Sequence, residues 1–235
     1  MNKTRIINFV GASGSGKDTV VRELVNRELV VDIPSYTTRN ERVPGELGHR
    51  FITEYAESNE YYYIEEYIEE GEVHKSYHVI PTSEIIAYFN SYESGNEYFA
   101  TNEQVIRDKT NAYRVDPNGA KQVHEYYRKH NFHNASNRTL NSSVELDQVE
   151  VLTIVIHAEE SVRLERLINR YYDINNISEY DLMIHPGLQN EAYLYALDRI
   201  EQDREIFKYM KCDYLVSNND NLTETVDYIE NIIKQ

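Results

Sequence analysis

Gly11-Ala12-Ser13-Gly14-Ser15-Gly16-Lys17-Asp18-Thr19 is the stretch on which the fold turns. It follows the apolar run Ile6-Ile7-Asn8-Phe9-Val10 and precedes the helical pattern Val20-Val21-Arg22-Glu23-Leu24-Val25. Gly11, four residues and then Gly16-Lys17 give the spacing of a phosphate-binding P-loop, in the strand–loop–helix setting that motif requires. Glycines let the backbone turn its N–H groups inward around an anion, and the following helix adds the positive end of its dipole. Lys17 would reach the β- and γ-phosphates of a nucleoside triphosphate. Gly11, Ser13, Gly14, Ser15, Gly16, Lys17, Asp18 and Thr19 are therefore the candidate triphosphate-binding residues. Asp18 stands where a Ser or Thr hydroxyl usually binds Mg²⁺, so a carboxylate becomes the candidate metal ligand.

Composition bounds what surrounds this loop. The 235 residues suffice for one large α/β domain. A net charge of −16, from 40 acidic and 24 basic residues, argues against nonspecific binding to nucleic acid or anionic membranes. It leaves room for an anionic small substrate held by local arginines. The single cysteine, Cys212, permits no internal disulfide. Neither a charged-then-apolar leader nor an apolar run of about 18 residues is present, so a cytoplasmic location is expected. The oligomeric state is not legible.

Outward from the loop, residues 4–10 read as a buried strand, 16–29 as a helix and 29–33 as a second strand ending at Pro34. Ser35-Tyr36-Thr37-Thr38-Arg39-Asn40-Glu41-Arg42 follows, then Val43-Pro44-Gly45-Glu46. Two arginines three apart, preceded by hydroxyl residues, make a fork suited to a second phosphate.

The P-loop together with Ser-x-Thr-Thr-Arg-x-x-Arg and the nearby Gly-Glu resembles the guanylate kinase family, as a divergent member. The resemblance implies a three-layer α/β/α P-loop fold with a central, mainly parallel sheet. It also implies an acceptor-binding region at 35–101, a lid at 171–190 and a core of 1–34, 102–170 and 191–235, all in one domain. The implied activity is ATP- and Mg²⁺-dependent phosphoryl transfer to a nucleoside monophosphate, GMP or dGMP. Ser35, Arg39 and Arg42 would contact the acceptor phosphate.

Residues 48–100 match this family loosely. In one register Glu46–Thr53 aligns and His49 replaces an acceptor-binding tyrosine. In the other, Tyr77-His78-Val79-Ile80 takes that place and 48–74 is an acidic insertion. Ser94–Thr101 resembles a phosphate-contacting segment, with Tyr98 as the contacting tyrosine and Phe99 where the family has glycine. Glu69 and Glu72 are candidates to read a guanine edge, or else lie on a solvated helix face.

The rest of the chain alternates strands and helices. Residues 111–123 read as a strand, a turn and a helix start; Asp116 either faces acceptor and metal, as the resemblance implies, or caps the helix. Arg114 occupies a position that is often acidic in the family. Residues 130–148 read as a long polar loop. Val151–Ile156 is a buried strand, followed by an amphipathic helix over 159–170 in which Arg166 and Arg170 share a face. By resemblance these two would close on the ATP phosphates, giving Lys17, Arg39 and Arg170 as catalytic residues. A helix over 191–210, a strand at 213–217 followed by Asn218-Asn219-Asp220 (bordering adenine in the family) and a final helix over 223–234 complete the chain. The Gly-Lys-Asp loop and Asn-Asn-Asp segment also resemble ribose 1,5-bisphosphate kinases, and a non-catalytic guanylate-kinase-like binding module is a third reading.

Overall fold

The computed structural model describes residues 3–41, 48–52, 54–55, 61–69, 72–80, 84–90, 95–136 and 148–235. In chain order the strands and helices begin β1 (Arg5–Val10), α1 (Lys17–Asn26), β2 (Val31–Ile33), β3 (Ser35–Thr37), β4 (His49–Phe51) and β5 (Glu54–Tyr55). There follow β6 (Tyr61–Glu69), β7 (Glu72–Ile80), β8 (Ile85–Asn90), β9 (Glu97–Thr101), β10 (Thr110–Arg114) and α2 (Pro117–Ser136). The last third holds β11 (Glu150–His157), α3 (Glu160–Ile174), α4 (Glu179–Ile184), α5 (Gly187–Phe207), β12 (Tyr214–Ser217) and α6 (Leu222–Ile233).

The central sheet has the order β12-β11-β1-β10-β2 and is parallel throughout, with helices flanking it. The mainly parallel sheet expected from the sequence is thus present. Its middle strand, β1, buries Ile6, Ile7, Asn8, Phe9 and Val10 completely. A strand covered on both faces carries a continuous apolar run rather than an alternation, and β1 does so apart from Asn8. A second sheet, β4-β3-β9-β8, and a third, β5-β6-β7, come from the middle of the chain.

By packing, the chain divides into two compact units, residues 1–8 with 30–151 and residues 9–29 with 152–235. In the first, Ile6, Ile33, Ile86, Tyr113, Val123 and Tyr127 form the main cluster. Tyr36, Ile52, Ile80 and Phe99 form a second. In the other unit, α3 and α5 pack through Leu167 against Ala196 and Ile200, where the small alanine permits close approach. Helix α6 buries Thr225, Val226, Ile229 and Ile232, one stripe at helical spacing, and Asn221 caps it by accepting from the Thr223 and Glu224 N–H groups.

Four sequence expectations are corrected. Helix α2 continues to Ser136, taking in the start of the loop expected at 130–148, because Val123 and Tyr127 keep its apolar face buried and Asn131 donates to the Val149 carbonyl. Glu69 and Glu72 lie opposite one another at the end of the β6–β7 hairpin, not on a helix. Helix α1 stops at Asn26, closed by Glu28 in the left-handed region (φ 57°) and by the Leu29 N–H bonding the Leu24 carbonyl. Between α3 and α5 only residues 175–186 interrupt regular helix, and α4 fills half of that, capped by a reciprocal Ser178–Asp181 pair.

Candidate nucleotide-binding site

Residues 11–16 link β1 to α1 within the second unit. Gly16 is the N-cap of α1, with φ 83° and no side-chain cap. First-turn amides have no partner inside a helix, so this end offers amide donors and a positive dipole end to an anion. Two glycines are fixed by their surroundings. A Cβ on Gly16 would lie 2.3 Å from Asn218 Nδ2, and one on Gly14, at φ 78°, would lie 2.9 Å from the Arg163 carbonyl oxygen.

The loop is held by side chains from the last third of the chain. Asn218, buried just beyond β12, donates from Nδ2 to the Ser15 carbonyl at 2.7 Å. Its backbone N–H bonds the His157 carbonyl at 2.7 Å, and its side-chain Oδ1 accepts from the Thr225 hydroxyl at 3.3 Å. Arg166 donates to the carbonyls of Gly14 and Ser15, both at 3.3 Å, and to that of Asn219 at 3.0 Å. Arg163 donates from Nε to the Ser13 carbonyl at 2.8 Å. With the carbonyls of residues 13, 14 and 15 bound in this way, the loop has the polarity of an anion nest.

Lys17, largely buried, lies with Nζ 3.3 Å from the carboxylate of Asp18, which is well exposed. Thr19 is half-buried in the same first turn. Arg170 is exposed one turn beyond Arg166 and has no hydrogen bond or ion pair among the described residues. Beside Asn219, Asp220 and Asn221 a depression of about 390 Å³ opens, bounded also by Thr225 and Tyr228. Among the described residues no group of three or more His, Cys, Asp or Glu could hold a metal. An exposed carboxylate in the first turn after such a loop nonetheless suits Mg²⁺, which takes one or two carboxylates together with phosphates and water.

The acceptor candidates lie in the first unit. Pairing of β3 with β9 sets Thr37 opposite Tyr98, and pairing with β4 sets Ser35 beside His49. Tyr98 meets His49 edge-on, ring centroids 5.8 Å apart, so the register aligning residues 46–53 brings His49 to Tyr98. The alternative segment, Tyr77–Ile80, belongs to β7. Arg39 is buried, its guanidinium 5.2 Å from the Phe51 ring centroid and donating to the Asn40 carbonyl at 2.9 Å. Arg50 lies 5.8 Å from the Tyr36 ring centroid. Phe99, fully buried against Tyr36, is a core residue of this sheet, which accounts for an aromatic there.

Ser35 is buried and hydrogen-bonded to Tyr113; burial drives that phenol far above its ordinary pKa, the Ser35 bond opposes the shift and the Asp116 charge adds to it. Asp116 accepts from the Gly119 N–H at 2.6 Å and so caps α2, ahead of Pro117 at the first helical position. Arg114 pairs with Asp32 at 2.5 Å, across neighbouring strands. Its guanidinium lies 2.5 Å from where a Cβ on Gly48 would be. Arg42 lies outside the described residues.

Sequence reasoning missed Arg163 and Asp203, and gave Asn218 only an adenine-side role. Arg163 precedes Arg166 by three and so shares a helix face with a residue already singled out.

Sheet order and loop geometry together define a P-loop α/β fold. No family model matches the sequence, and no curated protein matches it. Among solved structures, a guanylate kinase from Anaplasma phagocytophilum is similar, with 17% sequence identity and a TM-score of 0.48 over 100% of this chain and 86% of that one. No helix among the described residues is long and apolar enough to cross a membrane.

Proposed function

We propose that this protein transfers the γ-phosphoryl group of ATP to a nucleoside monophosphate, GMP or dGMP, giving the diphosphate and ADP. The observation that supports this best is the P-loop itself, an uncapped helix N-terminus with Lys17 beside it and its carbonyls bound from behind. Phosphoryl transfer asks little covalent chemistry of a protein; positioning and neutralisation of charge supply most of the catalysis.

In this reading the loop amides and Lys17 hold the β- and γ-phosphates. Arg39, with Ser35 and Tyr98, holds the acceptor phosphate, and Arg42 and Asp116 are further acceptor residues. An oxygen of that phosphate attacks in line and needs no general base, being anionic at neutral pH. Arg166 fixes the loop, while Arg170, exposed one turn further along α3, turns to the transferring group. Asp18 is the residue that would hold Mg²⁺, which when bound neutralises charge on the triphosphate.

Incubation with ATP, Mg²⁺ and a panel of GMP, dGMP, AMP, CMP, UMP, dTMP and ribose 1,5-bisphosphate tests the proposal. GDP or dGDP should form, and Lys17→Ala should abolish both turnover and ATP binding. Turnover of ribose 1,5-bisphosphate alone would replace the acceptor class. Failure to bind ATP would leave the binding-module reading instead.

A further inference from the structure

We propose that Asp203 and Arg163 are positioning residues that hold the phosphate loop in its binding shape through Ser13. This rests on residues 11–19 being the nucleotide-phosphate site. Asp203, on α5, accepts from the Ser13 N–H at 2.8 Å and pairs with Arg163, on α3, at 2.5 Å. Arg163 in turn donates from Nε to the Ser13 carbonyl at 2.8 Å. Three residues far apart in sequence thus close a ring in which both backbone polar groups of Ser13 are bound by side chains. Arg199, one turn before Asp203, adds a 3.4 Å bond to the Ser13 hydroxyl.

The two charged side chains are only 11% and 13% exposed, so these charge-assisted bonds are largely shielded from water. Their polarity matters more than their number. Rotating a peptide plane at Ser13 would turn a carbonyl towards the Asp203 carboxylate or an N–H towards the guanidinium. The latch therefore opposes the motion that would spoil an anion nest, and a nucleotide meets a loop already in shape. The helices supplying it are packed together through Leu167, Ala196 and Ile200.

The full-length chain and its Asp203→Asn, Asp203→Ala and paired Arg163→Asp/Asp203→Arg variants distinguish positioning from simple bracing. ATP affinity with Mg²⁺ would be measured by calorimetry well below the unfolding temperature. Hydrogen exchange over residues 11–16 would be followed without nucleotide. Asp203→Ala should weaken ATP binding about tenfold, the loss of one hydrogen bond to a charged group, and speed exchange in the loop. Asp203→Asn keeps an acceptor for the Ser13 N–H and should stay within about threefold of wild type. The exchanged pair restores an ion pair but offers Ser13 the opposite polarity, so it should bind as weakly as the alanine variant. Wild-type affinity in the exchanged pair would overturn the proposal, as would a lower Tm for Asp203→Ala with affinity and loop exchange unchanged. If wild type itself bound no ATP, the phosphate-site reading would fail, while faster loop exchange in Asp203→Ala would still establish the latch.

Discussion

Arg39 concentrates the question of the acceptor site in one side chain. It is 7% exposed yet cationic, and its guanidinium lies over Phe51. A buried guanidinium stacked on an aromatic ring keeps its charge and loses little further side-chain entropy when it meets a phosphate. Arg39→Ala should raise the acceptor KM at least tenfold and lower kcat, with ATP affinity nearly intact; a tenfold change is about 1.4 kcal/mol. Arg39→Lys should recover only part of the loss, since an ammonium cannot reproduce the planar stack. Equal weakening of ATP and acceptor would remove Arg39 from the acceptor site. Steady-state kinetics with each substrate varied in turn makes the distinction.

At the scale of elements, Asp116 was legible as a residue but not as a role. An aspartate after a strand and before a proline serves equally to cap a helix or to face a ligand. The 2.6 Å bond from the Gly119 N–H makes it the cap of α2. Asp116→Ala should therefore cost about 1 kcal/mol of stability, a fall in Tm of roughly 2–4 °C for a chain of this size. Asp116→Asn keeps the capping oxygen and should leave Tm near wild type. If Asp116 also meets the acceptor, the asparagine variant will show a raised acceptor KM at unchanged Tm, which a capping role alone does not produce. The β6–β7 hairpin is the contrary case. Its Tyr- and Ile-rich run followed by Glu70-Gly71 was a strand and turn signal, masked by the surrounding glutamates that favoured reading a solvated helix face.

For the whole molecule, acid stability depends on how the many carboxylates are placed. Burial alone would raise the Glu150 carboxyl, but hydrogen bonds and charge from Arg5 and Lys3 outweigh it and hold the pKa below the ordinary value. A depressed folded-state pKa stabilises above the unfolded value, and that contribution disappears as pH falls through the folded one. Glu150→Gln should thus lower Tm at pH 7, and the gap from wild type should close as acidification protonates the folded-state carboxylate. Thermal unfolding of both proteins as the pH is lowered checks the sign; a gap that widened on acidification would contradict it.

The sequence by itself determined the P-loop, the buried strands on either side of the chain's middle, the three longer helices after residue 150 and the shared face of Arg166 and Arg170 on the first of them. These are local signals, since glycine spacing, apolar runs and helical periodicity act over a few residues at a time. Only the tertiary structure decided that Asp203, Arg163 and Asn218 grip the loop, that Arg114 pairs with Asp32 and that His49 meets Tyr98. Each depends on chain segments brought together from far apart, Asn218 and Ser15 across 203 residues. A buried charge or carboxamide finds its partner through packing, and nothing in its immediate neighbours records which one it will be.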